Sequence, residues 1–146
     1  MSKVVIVYLS TSGNTKLMAD AIAEGAMSKN IAVMTMNFHE ARIEEIKAAD
    51  AIIIGSSTFY YKMLPPMEKF LESLEKINVQ SKIGATFGSY GWSGEAPKLI
   101  LEIMKYKFEM KTIEPPLLVK NTPDQNALNE CRNLGKKVSE SLMNRV

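Results

Sequence analysis

The chain has 146 residues, 46% of them hydrophobic and 23% charged, with 18 basic against 16 acidic side chains for a formal net charge of +2. That composition suits one globular domain spanning residues 1–146, and its slight, scattered positive charge argues against a nucleic-acid partner. One cysteine, Cys131, excludes an internal disulfide and fits a reducing cytoplasm, and with one histidine, His39, it leaves no ligand set for zinc, haem or an iron–sulfur cluster.

The opening MSKVVIVYLS has too short an apolar run for a secretion signal, and no stretch approaches the ~20 apolar residues that span a bilayer. Lys3–Leu9 is a continuous β-branched run, the pattern of a strand covered on both faces. Thr15–Met27 follows with Leu17, Met18, Ala21, Ile22 and Gly25 at helical spacing. Ile31–Asn37 reads as a second strand, and Glu40–Ala49 as a short helix carrying Ile43, Ile46 and Ala49 inward. AIIIGSS, from Ala51, is a third buried strand. Pro65-Pro66 suits a helix entry, with Met67, Phe70, Leu71 and Leu74 forming one stripe.

Lys82–Gly88 reads as the fourth strand. Gly94-Glu95-Ala96-Pro97 opens a helix with Leu99, Ile100, Ile103 and Met104 facing inward. A fifth strand is expected within Lys111–Lys120, centred on LLVK. The segment from Asp124 to Arg145 is helical, with Leu128, Leu134, Val138 and Leu142 toward the core. Strict alternation of five strands and five helices predicts an α/β fold: a doubly wound, open, parallel sheet with helices on both faces. A ligand on such a sheet sits outside the carboxyl ends of the strands, where strand order reverses.

The unusual residues cluster at that edge. STSGNT, Ser10–Thr15, follows the first strand and feeds a helix. Unpaired N–H groups and the positive end of the helix dipole meet there. Ser10, Thr11, Ser12, Asn14 and Thr15 add donors around Gly13, which permits close approach or a positive φ. This is a phosphate seat that needs no arginine. Simple capping would need only one such residue. The spacing is neither GxxxxGK(S/T) nor GxGxxG, and Leu9 and Ser10 replace the acids that a phosphoacceptor receiver needs. Of the eleven aromatics, Phe59, Tyr60 and Tyr61 follow the third strand, and Tyr90 and Trp92 the fourth. Two aromatic walls beside a phosphate seat suit a flat ring with a phosphorylated tail. Gly88, Gly91 and Gly94 would let backbone groups reach polar ring edges.

VVIVYLSTSGNT resembles the flavodoxin signature, an apolar strand followed by a Ser/Thr-x-Ser/Thr-Gly-Asn-Thr phosphate loop. AIIIGSSTF (Ala51–Phe59) resembles the segment whose aromatic covers one face of the flavin. FGSYGWSGEAPKLI (Phe87–Ile100) and LPPMEKFL (Leu64–Leu71) are most similar to the flavodoxin-like module of flavodiiron proteins. The resemblance spans essentially the whole chain and implies a short-chain flavodoxin with strand order 2-1-3-4-5. It implies FMN as cofactor, its phosphate held by Ser10, Thr11, Ser12, Gly13, Asn14 and Thr15. The flavin would lie between Ser57, Thr58, Phe59, Tyr60 and Tyr61 on one side and Gly88, Ser89, Tyr90, Gly91, Trp92, Ser93 and Gly94 on the other. No catalytic residue and no metal site is implied.

Two departures carry expectations. Tyr60 stands where many flavodoxins have a glycine whose peptide flips on reduction, so a less stabilised neutral semiquinone is expected. Acids are absent between Gly55 and Leu64, where Lys62 is the only charge, so a less negative hydroquinone potential is expected. The implied function is electron transfer between redox partner proteins, with no nucleic acid or membrane partner. A separate partner and a homodimer both stay open. The alternative is an FMN-dependent NAD(P)H:quinone or flavin reductase. A non-redox module that has lost the cofactor is a third reading, which the intact phosphate loop opposes.

Overall fold

In a computed structural model of the chain, residues 2–10, 12–28, 30–59, 62–91 and 93–144 are described. Strand β1 (Ser2–Leu9) leads through helix α1 (Asn14–Ala26) to β2 (Ile31–Asn37). A 3₁₀ turn (Phe38–Glu40) and a short α2 (Ile43–Lys47) precede β3 (Ala51–Ser56). Two-residue strands β4 (Thr58–Phe59) and β5 (Lys62–Met63) follow, then α3 (Pro65–Leu74), β6 (Ile83–Tyr90) and α4 (Glu95–Glu102). A π-helical turn (Ile103–Lys107), β7 (Lys111–Thr112), β8 (Leu117–Lys120) and α5 (Gln125–Met143) complete the chain.

The sheet is parallel and ordered β2-β1-β3-β6, with β7 and β8 both pairing with β6, so together they occupy the fifth position. This is the predicted doubly wound order, with the reversal between β1 and β3. Side chains alternate along each strand. Val4, Ile6, Ile53, Ala85 and Phe87 pack under α1 and α5, whereas Val5, Val7, Ile52 and Ile54 pack under α2, α3 and α4. Two apolar layers therefore enclose the sheet, and the near-continuous apolar runs of β1 and β3 follow from burial on both faces.

Several local expectations are refined. The single helix expected over Glu40–Ala49 is a 3₁₀ turn and a five-residue helix. β6 runs two residues beyond Gly88, because Ser89 and Tyr90 pair with Val119 and Lys120 of β8. The fifth strand is split by Ile113–Pro116, where two prolines remove ladder donors. Leu17 and Leu99, expected inward, are 47% and 37% exposed. Each lies at the edge of its helix's apolar stripe, while Met18 and Ile100 beside them take the core positions.

Candidate functional site

Leu9 pairs with Ser56 and Gly55 with Phe87, so β1 and β3 end level and β6 runs only two residues further. The segments after β1, β3 and β6 therefore meet at one edge, as the fold requires. Their meeting point is Thr15. Its side chain is fully buried, and its Oγ1 lies 3.4 Å from Ser57 Oγ and 3.3 Å from Ser89 Oγ. The Ser89 N–H also donates to Thr15 Oγ1, at 3.5 Å. One hydroxyl of the STSGNT segment thus ties together all three segments that the sequence singles out.

The rest of that segment is arranged around Gly13. Gly13 takes φ +89°, a left-handed conformation that a β-carbon would strain. Its N–H donates to Ser10 Oγ at 3.0 Å, and its carbonyl accepts the first helical bond, from the Leu17 N–H. Among the described residues no side chain caps α1. Ser10, Ser12, Asn14 and Thr15 therefore do not do the capping work that would explain them structurally, and the first-turn N–H groups lack a side-chain acceptor among the described residues. Ser12 and Gly13 are exposed, and Ser10 and Asn14 half-buried. Lys16 is engaged along its own helix by Asp20, 3.1 Å away, whose hydrogen bond and charge hold the ammonium above its ordinary value.

The segment after β3 is an antiparallel hairpin rather than an irregular loop, with Thr58 opposite Met63 and Phe59 opposite Lys62. Thr58, expected against the cofactor, also makes a contact within the protein. Its Oγ1 accepts the Ala96 N–H at 2.9 Å and so caps α4 from across the site. Ser56 Oγ donates to the Ser57 carbonyl at 2.9 Å. Gly88 is set by packing: a β-carbon there would sit 2.1 Å from the Ser56 carbonyl oxygen. Gly94 is buried against Leu118, whereas Gly91 is exposed and open. Tyr90 and Ser93 are half-buried at the rim. Thr11, Tyr60, Tyr61 and Trp92 lie outside the described residues, and of Phe59 only the backbone is described.

Glu95, which the sequence reading did not single out as a site residue, lies in the first turn of α4. Its Oε2 is sealed from solvent and has no hydrogen-bond partner among the described residues. The sequence signal was present in outline, as the sole acid of the segment after β6, but burial is not readable from it. Among the described residues no cluster of three or more His, Cys, Asp or Glu side chains forms a metal site. None of their helices is long and apolar enough to cross a membrane.

The flavodoxin family model matches residues 6–135, from the middle of β1 into α5. The chain belongs to the flavodoxin family. A solved flavodoxin from the domain Archaea is 51% identical, with 97% of this chain and 99% of that one covered and a TM-score of 0.93. An uncharacterized protein of Methanocaldococcus jannaschii is 35% identical over 95% of this chain and 36% of its own length. The anaerobic nitric oxide reductase flavorubredoxin of Escherichia coli is 32% identical over 94% of this chain and 29% of its own. The chain thus spans only about a third of these longer relatives. The flavodoxin-like module resemblance carried by FGSYGWSGEAPKLI agrees with matches of both kinds.

Proposed function

We propose that this flavodoxin-family chain binds FMN at the strand ends and carries electrons between other redox proteins. The observation that carries the reading is the buried Thr15 hydroxyl, which draws the segments after β1, β3 and β6 onto one point beside an uncapped helix N-terminus. The donor set fits the cofactor. A dianionic phosphate suits hydroxyls and free N–H groups at the positive end of α1.

In this reading Ser10, Thr11, Ser12, Gly13, Asn14 and Thr15 hold the phosphate. Ser57 to Tyr61 flank the ring on one side, and Gly88 to Gly94 on the other. FMN supplies the redox chemistry when bound; the chain binds it, orients it and sets its electrostatic surroundings. Thr15 keeps the three segments in register, and Thr58 holds the hairpin against α4. The partners are an electron donor and an electron acceptor protein. A cytoplasmic setting belongs to the same proposal and rests on the single, buried thiol of Cys131.

Purification with added FMN, followed by anaerobic titration with dithionite and then with NADH and NADPH, tests the reading. A yellow complex that dithionite reduces and neither nicotinamide bleaches is the expected result. A protein that does not retain FMN overturns it. Rapid bleaching by a nicotinamide would replace the carrier with an NAD(P)H-dependent reductase.

A further inference from the structure

Two consecutive hydroxyl residues lead into the β4–β5 hairpin, and each reaches a different helix. Ser57 Oγ lies 3.4 Å from the Oγ1 of Thr15, in the first turn of α1. Thr58 Oγ1 accepts the Ala96 N–H at 2.9 Å, in the first turn of α4. These two helices cover opposite faces of the sheet. Two neighbouring side chains thus bracket the carboxyl edge, one tied to the phosphate seat and the other to α4.

The contact at α4 takes the place of a local one. The residue before α4 is Gly94, which has no side chain, and the Ala96 N–H is one that a capping side chain ordinarily satisfies. Helix α5 is capped in that ordinary way, by Asp124, which accepts the Ala127 N–H at 2.8 Å. Helix α4 instead takes its cap from 38 positions back in the chain. Either route satisfies the same kind of group, so helix stability alone does not call for the longer one. What the longer route adds is a fixed separation between β4 and the end of the Gly88–Gly94 segment. Those are the two sides between which the ring would lie. Resting on the FMN reading above, we infer that Thr58 is a positioning residue for the flavin ring. Its hydroxyl acts through α4, setting the hairpin against the Gly88–Gly94 segment in advance of binding, so that less ordering is left for the cofactor to impose.

The test compares wild type with Thr58→Val, Thr58→Ser and Asp124→Ala. Valine keeps the branched shape and removes the acceptor, serine keeps the acceptor, and Asp124→Ala deletes a helix cap that has no part in the site. Each full-length chain is stripped of flavin, titrated with FMN and with riboflavin by flavin fluorescence, and followed by amide hydrogen exchange before flavin is added. Thr58→Val should lose about fivefold in affinity, as the fraction of chains with the hairpin in place falls, and by the same factor for both flavins. Its hairpin amides should exchange faster in the flavin-free chain. Thr58→Ser should recover most of both, and Asp124→Ala should change neither. Unchanged affinity in Thr58→Val overturns the inference, and so does an equal loss in Asp124→Ala, the mark of general destabilisation. A loss confined to FMN overturns it, since the hydroxyl would then act at the phosphate. Lost affinity with unaltered hairpin exchange overturns it too, because Thr58 would then touch the flavin directly. Failure of Thr58→Ser to recover the loss would assign the effect to the methyl group and not the hydroxyl. If wild type binds neither flavin, the FMN reading itself fails and the inference falls with it.

Discussion

On one face of the sheet two long helices, α1 and α5, touch backbone to backbone. A β-carbon on Gly25 would lie 1.9 Å from the Arg132 carbonyl oxygen, and one on Gly135 would lie 2.1 Å from that of Ile22. Ser139 Oγ donates to the Ala26 carbonyl at 2.6 Å and pins the same crossing. The other face is built from three shorter helices of 5, 10 and 8 residues over Met36, Met67, Met104, Met110, Phe70 and Phe108. Methionine adapts to irregular gaps where glycine contacts do not. The difference matches what each face carries. Helix α1 must aim its first turn at a fixed point, with Thr15 as the hinge pin of the site. The second face carries the hairpin and the segment after β6, which only need to be held against one another, by Thr58 and by packing on α4.

The sharpest way to break this comparison is to put a methyl group into the rigid crossing. Gly25→Ala and Gly135→Ala should each cost about 3 kcal/mol or more, because backbone cannot move aside as a side chain can. Met67→Leu and Met104→Leu should each cost less than about 1.5 kcal/mol. Urea unfolding of the four variants measures both, and similar losses on the two faces would erase the distinction.

Thr15→Val comes next. It keeps shape and removes the hydroxyl that joins Ser57 and Ser89, so a loss of about 1–3 kcal/mol in unfolding free energy is expected, together with weaker FMN binding. Thr15→Ser should recover most of both. A Thr15→Val protein with wild-type stability and FMN affinity would remove the hub from the account.

A smaller effect is expected at Tyr60, from the sequence alone. Tyr60→Gly should ease the positive-φ turn expected on reduction and spread the two one-electron potentials of bound FMN by about 1 kcal/mol. Spectroelectrochemistry that finds the same spacing in both proteins would count against any role for the β-carbon there.

The last effect, absent at neutral pH, sharpens the rigid face itself. Burial pushes the Cys131 thiol up to about 12, with the Glu130 charge adding to the shift. The folded thiol therefore keeps its proton while an unfolded one, at about 8.5, gives it up. Stability present below that pH should decline as pH rises toward 12, and Cys131→Ala should lose this part of the decline. The native thiol should also resist iodoacetamide at pH 8. Ready labelling there would mean that the α1–α5 face opens.

Much of this was legible in the chain. The Ile31–Asn37 strand and the Met67, Phe70, Leu71 and Leu74 stripe appear as predicted, because both signals lie in short-range period. STSGNT announced itself by an excess of polar residues that no single cap requires. What escaped had long-range causes. Ser89 and Tyr90 are strand residues only because β8 pairs with them. Thr58 caps a helix 38 positions away. Gly88 is a glycine because of the Ser56 carbonyl, and Leu17 and Leu99 are exposed because of where the neighbouring layers stop.

The sequence by itself determined the alternation of strands and helices, the parallel doubly wound sheet and the three segments at its carboxyl edge. Hydrophobic period and turn chemistry are local, and they act before any contact between distant parts is made. Only the tertiary structure decided that one hydroxyl, on Thr15, joins those segments, that two glycines lock α1 to α5, and that one oxygen of Glu95 is buried with no partner among the described residues. Each of these depends on atoms brought within a few ångströms across dozens of residues, and distance in space is not written in spacing along a chain.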